Sequence, residues 1–466
     1  MAISSARYVR FVCSFICVFL LLNLFVSIFG EYNKDEFEHI HSAWYVLKGF
    51  SPYKDFYQHH HPLLWYFLAP FILMFGENIV SVAIMRFVIF LFFLGICFFV
   101  YLISMKVLKS KEFALISVLF LVSVEIFTKR SIEIRPDVPQ VFFGLVSVFF
   151  LIKFNYEKKY VFVLLSGIFL SISFLFLQKS VFLLLAYFFI FVWGLISMEL
   201  KPRVALCFGI GFLSPLSFYF IFLFFSGCFE SYWITNWIVN LNYIKKVSFM
   251  GSMKDTLRFN FFFWPLALAS CFYVLCQAGA DRGLKWIAFL GAAQWGMLIF
   301  AGRPQSQYFM LSIALLAISA SCGFATMADR FMNENKKILS VFILILSPLI
   351  VNFISISRTN QDQKELIEFV LENTEDSDLV YDGDARFNLY RKDLHYFWYS
   401  VEDHKGLGTY NRVTNGFYKN YDICELIKFK MPKIISSYQL DFKSCDLSDF
   451  YSKTRYEGLY LKSNIF

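Results

Sequence analysis

The sequence predicts an all-α polytopic membrane protein that ends in a small α/β extracytoplasmic domain. Three observations lead there. Of 466 residues, 58% are hydrophobic and only 17% charged, whereas a soluble domain carries about a quarter charged residues. Long, nearly uncharged runs recur as far as residue 356, and runs of that kind cross a bilayer as helices. From about residue 357 the composition turns polar. The apolar runs are too long and too uniform for barrel strands, and a lipid-facing backbone must satisfy its own hydrogen bonds.

Eleven spans are expected, at 9–30, 80–105, 112–127, 138–153, 160–177, 180–199, 204–226, 261–278, 285–301, 307–326 and 338–356. The first is too long for the apolar core of a secretory signal and no small-residue cleavage site follows, so it reads as a retained span. The runs 112–127 and 138–153 are short and are expected to extend into their flanks. Between 62 and 76 lies a shorter apolar stretch, "PLLWYFLAPFILMFG", interrupted by Pro70. It fits an interfacial or re-entrant helix within a first outer loop of residues 31–79.

Orientation follows from Lys and Arg in the short loops. With Arg7 and Arg10 inside, the inner loops are "KVLKSK", "KFNYEKK", "ELKPR", "DRGLK" and "DRFMNENKK", all short and basic. The odd span count then puts the tail outside. The expected domains are a membrane catalytic domain, 1–356, and a soluble extracytoplasmic domain, 357–466. The expected location is a bacterial inner membrane with a cytoplasmic N-terminus.

The formal charge of +8 is scattered through these loops. It encodes topology and does not point to nucleic acid. The ten cysteines show no metal-finger spacing. Cys424 and Cys445 share a polar segment, and could pair if that segment is extracytoplasmic. In the tail, "NQDQKELIEFVLENTEDSD" reads as an amphipathic helix, and "LVYDGD" and "PKIISSY" as short strands.

The distinctive polar clusters fall on the outer side of this topology. Five of the seven histidines lie between 39 and 61. In "KDEFEHIHSAW", Asp35, Glu38, His39 and Ser42 take helical spacing and form one stripe, while Phe37, Ile40, Trp44 and Leu47 form an apolar one. The acidic stripe would face a cavity and the apolar stripe lipid or protein. The run His59–His61 suits a metal, a phosphate or a sugar. Arg135 and Asp137 precede a span, Lys179 sits in a tight turn, and Arg303 follows another span. Singly, each reads as a snorkelling charge. Together, cations at lipid depth beside an acidic helix suit a lipid phosphate, with a carboxylate as base.

The order "DE" after the first span, then "WYVLKGFSPYKDFYQHHHPL", then "RPD" before the fourth, resembles the GT-C glycosyltransferases. The similar branch holds the protein O-mannosyltransferases and the lipid A aminoarabinose transferase. "GRPQSQYFM" resembles the family's later segment, although "YFMLSIALL" lacks its proline-containing helix start. The resemblance implies a GT-C fold and transfer of a sugar, with inversion, from a polyprenyl-phosphate carrier to lipid A, another polysaccharide or a protein. Asp35 and Glu36 match the acidic pair, with Asp35 as base. Arg135, Lys179, Arg303, His60 and His61 would hold the donor. Glu38, His39, Asp55, Asp137, Gln307 and Tyr308 would line the acceptor side or cavity. A divalent metal, if used, would sit near Glu36, Glu38 or His39. Competing readings are a secondary transporter, a lipid-carrier ligase or phosphotransferase, and a membrane scaffold; the transporter reading lacks midspan charges.

Overall fold

The computed structural model describes residues 6–242, 250–251, 253–254, 260–299, 305–355, 358–399, 407–414, 422–438, 440, 442 and 445–463. They form two compact units. Unit 1 comprises residues 1–28, 87–219 and 246–358, and unit 2 residues 29–86, 220–245 and 359–466. This division differs from the sequence boundary at 356, because the first loop groups with the tail.

Every predicted apolar run falls on a helix. Among the described residues, six helices are long and apolar enough to cross a membrane: Ala6–Phe29, Ile79–Leu108, Asp137–Glu157, Gln178–Ile196, Pro202–Phe225 and Ser306–Phe331. The other runs lie on shorter or less apolar helices. The run 112–127 is not one helix extended into its flanks. It is Lys111–Ser123, then an extended residue, Val124, then Glu125–Arg130. The Glu125 amide, freed by this break, donates to Asn260 Oδ1 at 3.0 Å. The run 138–153 does extend, to Asp137–Glu157.

In unit 1 the helices approach closely where residues are small. A Cβ on Gly167 would lie 2.3 Å from the Phe208 carbonyl oxygen, and one on Gly211 2.2 Å from that of Leu164. Small residues permit such backbone contact between apolar helices, where water supplies no driving force. Buried hydroxyls add a polar tie: Ser147 donates to the Ser166 carbonyl at 2.8 Å and lies 3.1 Å from the Tyr187 hydroxyl.

In unit 2, helix α2 (Lys34–Leu47) follows the first span and α3 (Leu63–Phe75) carries Pro70 within it. The tail is α/β. Helix Gln361–Glu372 buries Ile367 and Val370. Among the described residues five strands follow: β1 (Leu379–Tyr381), β2 (Lys392–Asp393), β3 (Ile434–Ser436), β4 (Tyr451–Lys453) and β5 (Leu459–Lys462). The sheet order is β2-β1-β3-β5-β4. The β1 pairings are parallel and the β5 pairings antiparallel. A disulfide joins Cys424 to Cys445 across a Cα separation of 5.2 Å.

Candidate functional site

Asn33 starts α2 with a capping box. Its side chain accepts the Asp35 amide at 3.1 Å, and its own amide donates to Glu36 Oε1 at 2.8 Å. This satisfies two of the amides a helix start leaves without partners. Glu36 is fully buried and holds a second partner. Arg86 donates from Nε to Glu36 Oε2 at 2.8 Å and from Nη2 to Oε1 at 2.5 Å. The same guanidinium donates to the carbonyls of Gly30 and Glu31 and stacks 4.1 Å from the Tyr32 ring centroid. One arginine thus ties the end of the first span to the start of α2. Asp35, next in sequence to this clamp, is half-buried. Lys34 ranges 3.5 Å from Asp384. Burial pulls the Lys34 ammonium down, but Asp384 and Asp35 more than offset it, and the ammonium stands above its ordinary value.

The expected two-faced α2 is not what forms. Residues 36–45 are all buried, whichever way they point. The second cover comes from the tail. His41 meets the Leu389 carbonyl with Nδ1 at 3.0 Å and Asp393 Oδ2 with Nε2 at 2.5 Å. Tyr45 donates to the same Asp393 oxygen at 3.1 Å. Residues 396–399 pack along the segment from Tyr53 to His59. The Trp398 indole donates to the Tyr57 carbonyl at 3.2 Å, and the Tyr399 hydroxyl lies 2.9 Å from His59 Nδ1. His61 is fully buried, 3.0 Å from the Tyr232 hydroxyl. Asp55 lies at the surface, where it accepts the Ser51 amide at 2.7 Å and caps a turn.

Ligand atoms of Glu38, His39 and His60 lie within 4.8 Å of one another, a spacing that could hold a metal ion. Glu36, committed to Arg86, is not in this group. The fit is partial. The Trp65 indole donates to His39 Nδ1 at 3.1 Å. A neutral ring that accepts at Nδ1 carries its proton on Nε2, and a protonated nitrogen is no ligand. Metal-binding histidines give their second N–H to an acceptor, and Trp65 offers a donor. Glu38 and His60 offer an oxygen and a nitrogen within this spacing; His39 offers Nδ1 only once it leaves Trp65.

Unit 1 holds a second cluster. Asp137 opens helix α7 (Asp137–Glu157), where the helix dipole favours a carboxylate. Arg135 Nε lies 3.4 Å from Asp137 Oδ2, and Lys179 Nζ 3.7 Å from Oδ1. Lys179 also sits 3.0 Å from the Tyr308 ring centroid, an attractive cation–π position. Gln307, beside Tyr308, is buried. The structure therefore gathers Arg135, Asp137, Lys179 and Tyr308, four residues from three separate sequence stretches. Arg303 lies outside the described residues.

Sequence reasoning missed Arg86, Trp65, Tyr232 and the 388–399 segment. Arg86 was visible as a charge inside an apolar run. The others left no local pattern, because their partners lie far away in sequence.

Residues 59–222 match the family described as dolichyl-phosphate-mannose-protein mannosyltransferase. No curated protein matches the chain by sequence. Solved structures match it in fold. ArnT from Cupriavidus metallidurans bound to undecaprenyl phosphate superposes with a TM-score of 0.68 at 11% identity, over 99% of both chains. The archaeal oligosaccharyltransferase AglB from Archaeoglobus fulgidus, in complex with an inhibitory peptide and a dolichol-phosphate, gives 0.57 at 12% identity, over 99% of this chain and 75% of that one. The Archaeoglobus fulgidus oligosaccharyltransferase in complex with Zn and sulfate gives 0.56 at 14% identity, over 97% and 73%. The apolar helices and these superpositions make the chain a multi-pass membrane protein with the GT-C fold, similar in architecture to ArnT.

Proposed function

We propose that the protein is an inverting glycosyltransferase that moves a sugar from a polyprenyl-phosphate carrier to a cell-envelope acceptor at the outer face of a bacterial inner membrane. The family match over 59–222 and the fold support the class. One observation carries the donor assignment: Arg135 and Lys179 converge on Asp137 above Tyr308. Arg135 also lies 3.5 Å from Glu133, so carboxylates hold both cations in place, preorganised for a further anion. A phosphate takes over part of their hydrogen bonding without any need to assemble them.

In this reading Asp35 removes the proton of the acceptor hydroxyl. The oxygen attacks the anomeric carbon from the face opposite the phosphate. The bond from that carbon to the phosphate oxygen breaks, and its electron pair leaves with the polyprenyl phosphate. The charge gained there is held by Arg135 and Lys179, with Arg303 assigned to the same task, so they act most strongly in the transition state. Glu36 is a positioning residue, because Arg86 and Asn33 take its oxygens. His60 and His61 flank the donor. Glu38 and His60, with His39 once it is released from Trp65, would hold a divalent ion if one binds, and such an ion would supply positive charge.

The disulfide supports an extracytoplasmic tail, since such bonds persist in oxidising compartments. The test is transfer from a panel of radiolabelled polyprenyl-phosphate sugars to lipid A, polysaccharide and protein acceptors, by wild type and Asp35→Asn. Transfer by wild type with loss of about 10²–10⁴-fold in the variant is expected for a removed base. Equal transfer by both removes Asp35 from the role. No transfer from folded wild type with any donor overturns the reading.

A further inference from the structure

Unit 1 has a large apolar groove that the proposed transfer does not use. Its volume is about 1040 Å³, and its walls include Phe189, Trp193 and Ile196 from one helix and Trp286, Phe289 and Met297 from another. That matches or exceeds the roughly 300–1,000 Å³ of drug-sized ligand sites. The first wall is α9 (Val181–Ile196) and the second the helix Arg282–Met297. Gly296 opens directly into free space, since a Cβ placed there meets nothing within 4 Å.

The groove has a polar end. Glu199, Arg282 and Lys285 line it there. Arg282 Nη2 lies 2.8 Å from Glu199 Oε2, and its guanidinium carbon 4.9 Å from the Trp286 ring centroid. Lys285 donates to the Ala278 carbonyl at 3.4 Å. Two cations against one carboxylate leave this end net positive. Lys158, in the adjoining loop, responds to the same field: burial, then Arg282, pulls its ammonium below the ordinary value. Tryptophans beside Lys and Arg at the end of apolar helices mark a bilayer interface. This interface is the far one from the Arg135–Lys179 cluster. Helix α9 begins directly after Ser180 and runs 16 residues, about 24 Å at 1.5 Å per residue.

We propose that the groove binds one anionic phospholipid of that leaflet, with its acyl chains between the two helices and its phosphate between Arg282 and Lys285. Glu199 occupies only one arm of Arg282, which leaves guanidinium N–H groups for phosphate oxygen. The apolar walls exclude a small hydrated anion as the ligand. A polyprenyl phosphate seated with its phosphate here would stand about a full helix length from Lys179, so the two-chain lipid is the fitting occupant. The choice of a two-chain lipid over a polyprenyl phosphate rests on the transfer reading, which places the donor phosphate at Lys179; the groove and its charged end do not.

The test is native mass spectrometry of the delipidated full-length protein in detergent, titrated with phosphatidylglycerol or phosphatidylethanolamine. Phosphatidylglycerol should bind roughly tenfold more tightly, about 1.4 kcal/mol, because its headgroup is anionic and the two cations outnumber Glu199. Arg282→Gln with Lys285→Gln should bring it to the phosphatidylethanolamine level. Gly296→Leu should lower binding of both lipids by filling the groove. Gly296→Ala, which adds one methyl in open space and a better helix former, should preserve binding and stability. Equal binding of the two lipids by wild type, or no effect of the paired rim substitutions, overturns the proposal. So does displacement of phosphatidylglycerol by an equal concentration of decaprenyl phosphate. If Gly296→Leu does not fold, the rim pair and Gly296→Ala still decide.

Discussion

Arg86 holds both carboxylate oxygens of Glu36, at 2.8 and 2.5 Å, with 1% and 0% of the two side chains exposed. The pair fixes where α2 begins and so where Asp35 stands. Breaking a buried pair by removing one partner costs about 3–5 kcal/mol, because the other charge stays buried alone. Arg86→Met should therefore lower the thermal midpoint in detergent sharply. Glu36→Gln should lower it less, since an amide oxygen can still accept the Asn33 amide. The double variant should recover part of the Arg86→Met loss. An unchanged midpoint for Arg86→Met would show that the clamp does not hold the helix.

A buried carboxyl and a half-buried imidazole in the tail titrate in opposite senses. Burial raises the Asp382 carboxyl to about 7, partly countered by the backbone amides of Asn388, Phe387 and Arg386. Its contribution to stability is full below the ordinary 3.8 and is lost as pH rises through about 7. Burial, then Lys430, lowers His395 to about 4, and its Nδ1 accepts the Phe397 amide at 3.0 Å as a neutral ring must. Its contribution is full above the ordinary 6.5 and is lost as pH falls through about 4. Between about 4 and 6.5 the two slopes oppose, each near 1.4 kcal/mol per pH unit. Asp382→Asn should make stability rise more steeply with pH in that window than in wild type. His395→Gln should make it fall. Unfolding at pH 4.5, 5.5 and 6.5 reads both slopes, and identical slopes in all three proteins would refute the pairing.

Much of the architecture was legible because membrane helices are written in long local runs. All eleven runs lie on helices, and "LVYDGD" and "PKIISSY" contain β1 and β3. The break at Val124 was not legible, since the side chain that accepts the freed Glu125 amide is that of Asn260, 135 positions after Glu125. The full burial of α2 was hidden for the same reason. Its spacing shows two faces, but Gln58 and Trp65 cover the polar one at Ser42 and His39, and Leu389 and Asp393 cover His41 from more than 340 residues away. A single arginine in an apolar run, as Arg86 is, fits snorkelling to the interface. Only the fold shows that it turns inward to Glu36.

The donor cluster predicts a graded effect. Arg135 and Lys179 meet the same carboxylate, but a guanidinium offers a planar fork and an ammonium a point charge. Lys179→Met should lower kcat/KM for the polyprenyl-phosphate sugar by roughly ten- to a hundredfold, as the loss of one charged hydrogen bond costs about 1.5–3 kcal/mol. Arg135→Lys should lower it less than Arg135→Met, yet measurably. Inhibition by free polyprenyl phosphate should weaken in step. A Lys179→Met enzyme with unaltered kcat/KM and unaltered product inhibition would place the phosphate elsewhere.

Trp65 governs whether the cluster of Glu38, His39 and His60 can bind a metal. Its indole N–H points at His39 Nδ1 from 3.1 Å, and that contact keeps the proton of the neutral ring on Nε2. Trp65→Phe removes the donor and keeps an aromatic of similar shape. The donor that holds Nδ1 is then gone, and His39 can offer that nitrogen to an ion. Zinc affinity, measured by titration of the full-length protein, should rise at least severalfold. Glu38→Gln in the same background should reverse the gain, because it removes the one anionic ligand of the group. If wild type binds zinc as tightly as Trp65→Phe, His39 is not held by Trp65 in solution. If neither protein binds zinc, the three residues form a hydrogen-bonded cluster and their spacing has another purpose.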